Sequence, residues 1–238
     1  MTHRSLNLLL IALSLMSNCD GVESSPIEKS SMTYHLKTPR FTVEYQIPAI
    51  LQEGYGGIRT EITLTNPDED QFAGAIGEGA FSKGVGTFYL GAVDDFKRWD
   101  VSFDIIVIKF DRLQRPVNSV TDLAAFIKQM FSTKIVLHDG TAINYLDSIS
   151  VQRIGMKDIV IAISSERRQV STVILASGAS TERLPFEFYY LLVDDQWAIG
   201  IGVYHDNPRA VNEEMFKRSR TIVNEIIDRM KITLTTQK

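Results

Sequence analysis

The side chains with most scope for nucleophilic, acid–base or metal chemistry are four histidines and one cysteine. His3 and His35 stand near the amino terminus. His138-Asp139 and His205-Asp206 are two histidine–aspartate pairs far apart in sequence. Two such pairs invite a metal-dependent phosphohydrolase, but that chemistry needs further imidazole and carboxylate ligands converging from helices. Here both pairs precede turn residues, Gly140 and Asn207-Pro208, where aspartate is favoured because its carboxylate bonds to nearby backbone N–H groups. They are read as loop residues, and neither a metal nor a cofactor is expected. The acids Asp68, Glu69 and Asp70 lack the spaced oxygens, sharp-turn glycine and late glutamate of a calcium loop. No Gly-x-Ser-x-Gly elbow occurs, so no exposed serine nucleophile is indicated. Asp94-Asp95 and Asp194-Asp195 are adjacent in turn-like sequence, which suits solvated corners better than an acid and a base facing each other across a cleft.

Residues 74–91 carry six glycines, Gly74, Gly77, Gly79, Gly84, Gly86 and Gly91. Ile76-Gly77-Glu78-Gly79-Ala80-Phe81-Ser82 is similar to the glycine-rich loop of protein kinases, and Val107-Ile108-Lys109 to their strand lysine. The remaining parts of that machinery, a His-Arg-Asp catalytic loop, its asparagine and an Asp-Phe-Gly metal ligand, do not occur. The glycines are therefore expected to let a loop turn sharply or approach another backbone closely.

Cys19 is the only cysteine, so no internal disulfide can form. It closes a run, residues 6–16, that is apolar except for Asn7 and Ser14 and follows Arg4. A spanning helix needs roughly 20 apolar residues. This run is about half that, the length of a signal-peptide core. A thiol at the edge of such a leader resembles the lipobox of bacterial lipoproteins. Met16 stands where that family prefers leucine, and Asn18 where it prefers a small residue. The resemblance implies lipidation of Cys19, cleavage before it and acylation of the new amino group, with more than one acyl chain giving stable anchoring. Residues 1–18 are then a signal peptide, 19–38 a polar, serine-rich flexible tether and 39–238 a single α/β domain.

The chain has 238 residues, enough for one sizeable core. Its formal charge of −4 and the absence of a basic block argue against nucleic acid as a partner. Attachment to anionic lipid by charge is disfavoured for the same reason, so the membrane is reached through the N-terminal lipid.

The elements follow from periodicity. Phe41–Ile47 alternates apolar and polar as a half-buried strand does, and Pro48 closes it. Residues 58–65 alternate again. Residues 99–110 begin alternating and become continuously apolar, the pattern of a strand entering a sheet interior covered on both faces. Leu123, Phe126, Ile127 and Met130 form one stripe of a helix over 121–131, capped by Ser119 or Thr121. A strand meander is expected next, with short strands over 159–163 and 170–175 around a charged turn at 165–168. Residues 186–193 and 197–204 make a hairpin around Asp194-Asp195-Gln196. In its second strand Trp197, Ile199, Ile201 and Val203 alternate with Gly200 and Gly202. One face is bulky and the other bare, so something packs closely there, and the nearest candidate is a last helix. That helix is expected over 207–231, with Met215, Ser219, Ile222, Val223, Ile226 and Met230 on one face.

The expected class is α+β, an antiparallel sheet with helices packed on it. The order of elements resembles the PsbP/Mog1-like α/β/α sandwich of small exported bacterial lipoproteins, carried by the 41–47 strand before Pro48 and the closing helix over 207–230. The glycine-rich stretch 74–91 departs from it. Proteins of that fold act mostly as binding or accessory subunits. The resemblance thus implies a non-catalytic protein that binds another protein in the cell envelope, facing the periplasm. An immunity protein that neutralises an antibacterial effector is a second binding role. An envelope hydrolase with a site spread over loops is the contrasting one, and it requires His138, His205 and acidic side chains to converge.

Overall fold

The computed structural model describes residues 31–53, 60–64, 74–75, 80–91, 100–110, 113, 115–132, 135–137, 140–168, 184–205 and 212–235. These form an α+β domain of two sheets and two helices. The strands are β1 (Met32–Lys37), β2 (Phe41–Ile47), β3 (Gln52–Glu53), β4 (Glu61–Thr63), β5 (Gly74–Ala75), β6 (Ala80–Leu90), β7 (Val101–Phe110), β8 (Ile135–Leu137), β9 (Gly140–Ile154), β10 (Lys157–Arg168), β11 (Leu184–Asp194), β12 (Trp197–Tyr204) and β13 (Lys231–Leu234). The helices are α1 (Val120–Ser132) and α2 (Glu213–Arg229).

The large sheet has nine strands in the order β3-β6-β7-β12-β11-β10-β9-β8, with β5 on β6, and every pairing in it is antiparallel. The small sheet runs β13-β2-β1-β4. It contains the one parallel pairing described, β1 with β4.

Both faces of the large sheet are covered, which explains why β7 loses its alternation. Val101, Phe103, Ile105 and Val107 join Trp197, Ile199, Ile201 and Val203 of β12, the small sheet and the α2 residues Ile222, Val223, Ile226 and Ile227 in one core. Ile108 and Phe110 face the other way, into a second core with Val160, Ala162, Tyr190, Ala198 and the α1 residues Leu123 and Ile127. Ser119 caps α1: its Oγ accepts from Asp122 N–H at 3.1 Å and donates to Asp122 Oδ2 at 2.7 Å.

Five expectations change. Residues 32–38 fall in the expected tether, yet 32–37 form β1 and Thr38 is buried. Tyr34 and Leu36 alternate inward there, and Tyr34 stacks on Tyr45 at 5.4 Å while Phe88 meets it edge-on at 5.3 Å. The Tyr34 hydroxyl escapes the core by donating to Glu53. The Tyr45 hydroxyl stays buried with no hydrogen-bond partner among the described residues.

The glycine-rich stretch is a strand, not a loop, from Ala80 to Leu90. A register shift between Gly84 and Gly86 inserts Val85 as a bulge, and Val85, Phe88 and Leu90 are buried. The charged segment 165–168 continues β10 rather than turning.

The bare side of β12 is filled by side chains of the sheet itself, Ile106 of β7 and Tyr190 of β11 at Gly200 and Tyr204 of β12 at Gly202, not by the last helix. A Cβ on Gly200 would sit 2.7 Å from Ile106 Cγ1, and one on Gly202 2.9 Å from the Tyr204 ring. α2 instead covers the bulky side.

That helix begins at Glu213, with Asn212 Oδ1 accepting from Met215 N–H at 2.8 Å, so Asn212 is its cap. Residues 207–211, where the expected start lies, are outside the described residues, and 231–234 leave the helix to pair with β2.

Candidate functional site

The first turns of α2 carry Met215, Phe216, Ser219 and Arg220 toward the end of the β11–β12 hairpin. Glu187 and Tyr189 project from β11 on the same face, and His205 follows directly on β12.

Glu187 is saturated with donors. Arg220 donates through Nη2 to Oε1 at 2.6 Å and through Nε to Oε1 and Oε2 at 3.0 and 3.2 Å. Tyr189 Oη donates to Oε2 at 2.8 Å. Burial pushes the Tyr189 phenol well above its ordinary range, and the adjacent Glu187 carboxylate adds to that. The hydrogen bond to Glu187 in turn raises the Arg220 guanidinium. A carboxylate that accepts from an arginine fork and a phenol has its acceptor positions taken by the protein's own donors.

His205 and Ser219 meet at 3.4 Å, Nε2 to Oγ. Both are buried, at 1% and 0% exposure. In nucleophilic serine chemistry the hydroxyl gives its proton to the imidazole. Here the single Ser219 proton goes to the Met215 carbonyl at 2.8 Å, the back-bond that a mid-helix serine commonly makes. Toward His205 the oxygen is left as an acceptor. Phe216 lies between the two polar groups, its ring 4.3 Å from the imidazole and 5.9 Å from the Arg220 guanidinium carbon. The arrangement clamps α2 to the sheet, and its one half-exposed charged group is Arg220.

The other candidates are placed as follows. Asp194 and Asp195 sit at the β11–β12 turn. Asp194 Oδ1 accepts from Gln196 N–H at 2.8 Å, and the turn is tied to Arg40 through Asp194 at 3.1 Å, Asp195 at 3.4 Å and Gln196 at 2.6 Å. They are a structural corner, as their turn context indicates. Lys109 is in β7, opposite Phe81 and Trp197 in register. His35 is in β1 opposite Glu44. Cys19, His138, Asp139, Asp206, Asp94, Asp95, the acids 68–70 and glycines 77 and 79 are outside the described residues. Among the described residues no three His, Cys, Asp or Glu side chains are grouped to hold a metal, and no helix is long and apolar enough to cross a membrane.

Sequence reasoning missed Glu187, Tyr189 and Arg220 as partners. A glutamate at an inward position of an otherwise apolar strand was the available signal, since such a charge must find a counterion.

No family model and no curated protein matches the chain. A solved structure from Bacteroides thetaiotaomicron is similar over 82% of this chain, at 12% identity and a TM-score of 0.39. The chain spans about half of that structure's length, 47% of it.

Proposed function

We propose that this is an exported, lipid-anchored, non-catalytic protein of the bacterial cell envelope whose work is to bind another protein. The observation that carries the reading is the short apolar run 6–16 ending at the lone thiol of Cys19, followed by polar residues up to β1. Tyr34 and Leu36 belong to the core, so a tether from the acyl chains to the domain ends before β1.

The finer reading of the fold goes with this. A covered antiparallel sheet with α1 on one face and α2 on the other supports a PsbP/Mog1-like sandwich, with the small sheet as a partner of α2 on its side. Proteins of that architecture serve mainly as binding or accessory subunits, an analogy of fold rather than of site.

Mass spectrometry of the mature amino terminus tests the anchor. A diacylglyceryl thioether on Cys19 is expected, and membrane association is expected to disappear in Cys19→Ala. An unmodified Cys19 thiol overturns the lipoprotein reading. Affinity capture of the anchored protein from its own membranes then identifies the partner as an envelope complex or a delivered effector. Turnover of an envelope polymer by the purified chain would overturn the non-catalytic reading.

A further inference from the structure

The strand β9 presents a long exposed edge. Only its first three residues pair with β8, whereas its inner side pairs with β10 along most of its length. Beyond that start no described strand lies on its outer side. Ser148, Ser150, Val151, Gln152 and Arg153 are all exposed, Val151 at 47%. Edge strands are usually blunted by proline, lysine, bulges or shortness. Residues 141–156 contain neither proline nor lysine. The one irregularity is a bulge at Asp147, where Ile163 pairs with Ser148 but Ser164 with Leu146.

The direction of the backbone groups follows from the hairpin. A two-residue turn, Gly155-Met156, makes Ile154 and Lys157 the closing pair. Hydrogen bonding alternates along an antiparallel ladder, so Ile154, Gln152 and Ser150 turn their N–H and C=O toward β10. Arg153, Val151 and Ile149 turn theirs outward.

Laid antiparallel to itself about Ser150, this segment is self-complementary. Ile149 falls opposite Val151, Ser148 opposite Gln152 and Asp147 opposite Arg153. The outward-turned Ile149 and Val151 form a hydrogen-bonded pair, apolar against apolar. The exposed acid and the exposed base meet at each end. Centring on Ile149 instead sets Asp147 against Val151, and centring on Val151 sets Ile149 against Arg153. Only the Ser150 centre matches charge with charge and apolar with apolar. A surface that complements its own copy by a two-fold rotation is the requirement for an isologous interface. We infer that the β9 edge is the contact of a two-fold dimer of this chain, joining two large sheets into one.

Two measurements on the full-length chain carrying Cys19→Ala test this. In the proposed register Ser150 faces its own copy in a non-hydrogen-bonded pair, within the Cα separation that a disulfide spans. Ser150→Cys is therefore expected to cross-link on mild oxidation. Gln152→Cys alone is not, and Ser148→Cys combined with Gln152→Cys is. By sedimentation the parent is expected to be a dimer at tens of micromolar. Arg153→Asp places like charges opposite one another twice and is expected to weaken it roughly tenfold or more. Asp147→Arg added to Arg153→Asp is expected to restore it. A parent that sediments as a monomer overturns the assignment and leaves the edge to a strand from another protein. A dimer that ignores Arg153→Asp and never cross-links through Ser150→Cys overturns it as well.

Discussion

Arg220 on α2 grips Glu187 on β11 through a 2.6 Å contact between Nη2 and Oε1, and the two side chains differ sharply in exposure, 50% against 2%. The arginine works from the surface and the carboxylate from the core. Tyr189 completes the shell around the carboxylate from within.

Removing the arginine leaves a buried carboxylate with one phenolic donor. Breaking a buried ion pair costs about 3–5 kcal/mol, and the half-exposed position of Arg220 puts Arg220→Ala at the low end, about 3 kcal/mol. Arg220→Lys keeps the charge but loses the fork, so a smaller loss is expected. Urea unfolding of the two variants checks both. Replacing the pair together with leucines is expected to recover much of the loss. A single-variant effect below about 1 kcal/mol would mean that the pair behaves as an ordinary surface bridge.

Asp104 supplies a pH dependence. Burial holds its carboxyl above the usual aspartate range, while the hydrogen bond from Thr87 Oγ1 at 2.7 Å works in the opposite direction. With the folded value raised, the folded state binds more protons than the unfolded chain just above the ordinary aspartate range. Its contribution to stability therefore falls as pH rises through that window. Asp104→Asn keeps an acceptor for Thr87 and loses the buried charge. It is expected to be more stable than the parent at neutral pH and equal to it below the aspartate range. Chemical denaturation at a series of pH values reads this difference directly.

Gly200 tests how tightly the bare side of β12 is filled. An added Cβ would lie 2.7 and 2.9 Å from Ile106 and 3.2 Å from Tyr190, closer than side-chain carbons tolerate. Gly200→Ala is expected to destabilise by about 1–3 kcal/mol through overpacking. Trimming the neighbour in Gly200→Ala/Ile106→Val should return part of it. Melting temperatures of the three variants form the cycle.

Most of the strand framework was legible because its signals are local. Phe41–Ile47 alternates cleanly and is half-buried in the expected way, and the 186–204 hairpin carries its turn residues at Asp194 to Gln196. The stripe of α1 and most of that of α2 follow from helical spacing. What escaped notice depends on partners distant in sequence. β1 looks polar, with Tyr34 and Leu36 as its inward residues, and becomes a strand because β2 and β4 flank it. The glycines of β6 suggest a loop, but a bulge at Val85 accommodates them within a ladder to β7. The clamp at α2 joins residues 187, 189, 205, 219 and 220, and no spacing rule links those positions.

The buried Tyr45 hydroxyl is a second place where chemistry and packing disagree. Its ring stacks on Tyr34, while its oxygen has no partner among the described residues. Burial raises the phenol far above its ordinary range, so it stays neutral. An unsatisfied buried hydroxyl costs about 1–3 kcal/mol. Tyr45→Phe keeps the ring and is expected to stabilise the domain by about 1 kcal/mol, seen as a higher urea midpoint with an unchanged slope.

The geometry of Ser219 and His205 makes a prediction about reactivity. The Ser219 proton is held by the Met215 carbonyl, and neither side chain reaches solvent. A serine without a base to take its proton is a poor nucleophile. Ser219 in the folded protein is therefore expected to resist fluorophosphonate probes that label activated serines. Ser219→Ala removes a back-bond to a carbonyl within the helix and puts a better helix former in its place, so the two effects oppose one another. Its stability is expected to stay within about 1 kcal/mol of the parent, since the lost contact to His205 is long. Labelling of the parent that disappears in Ser219→Ala would show that the helix opens to expose the pair, and would return an envelope hydrolase to consideration.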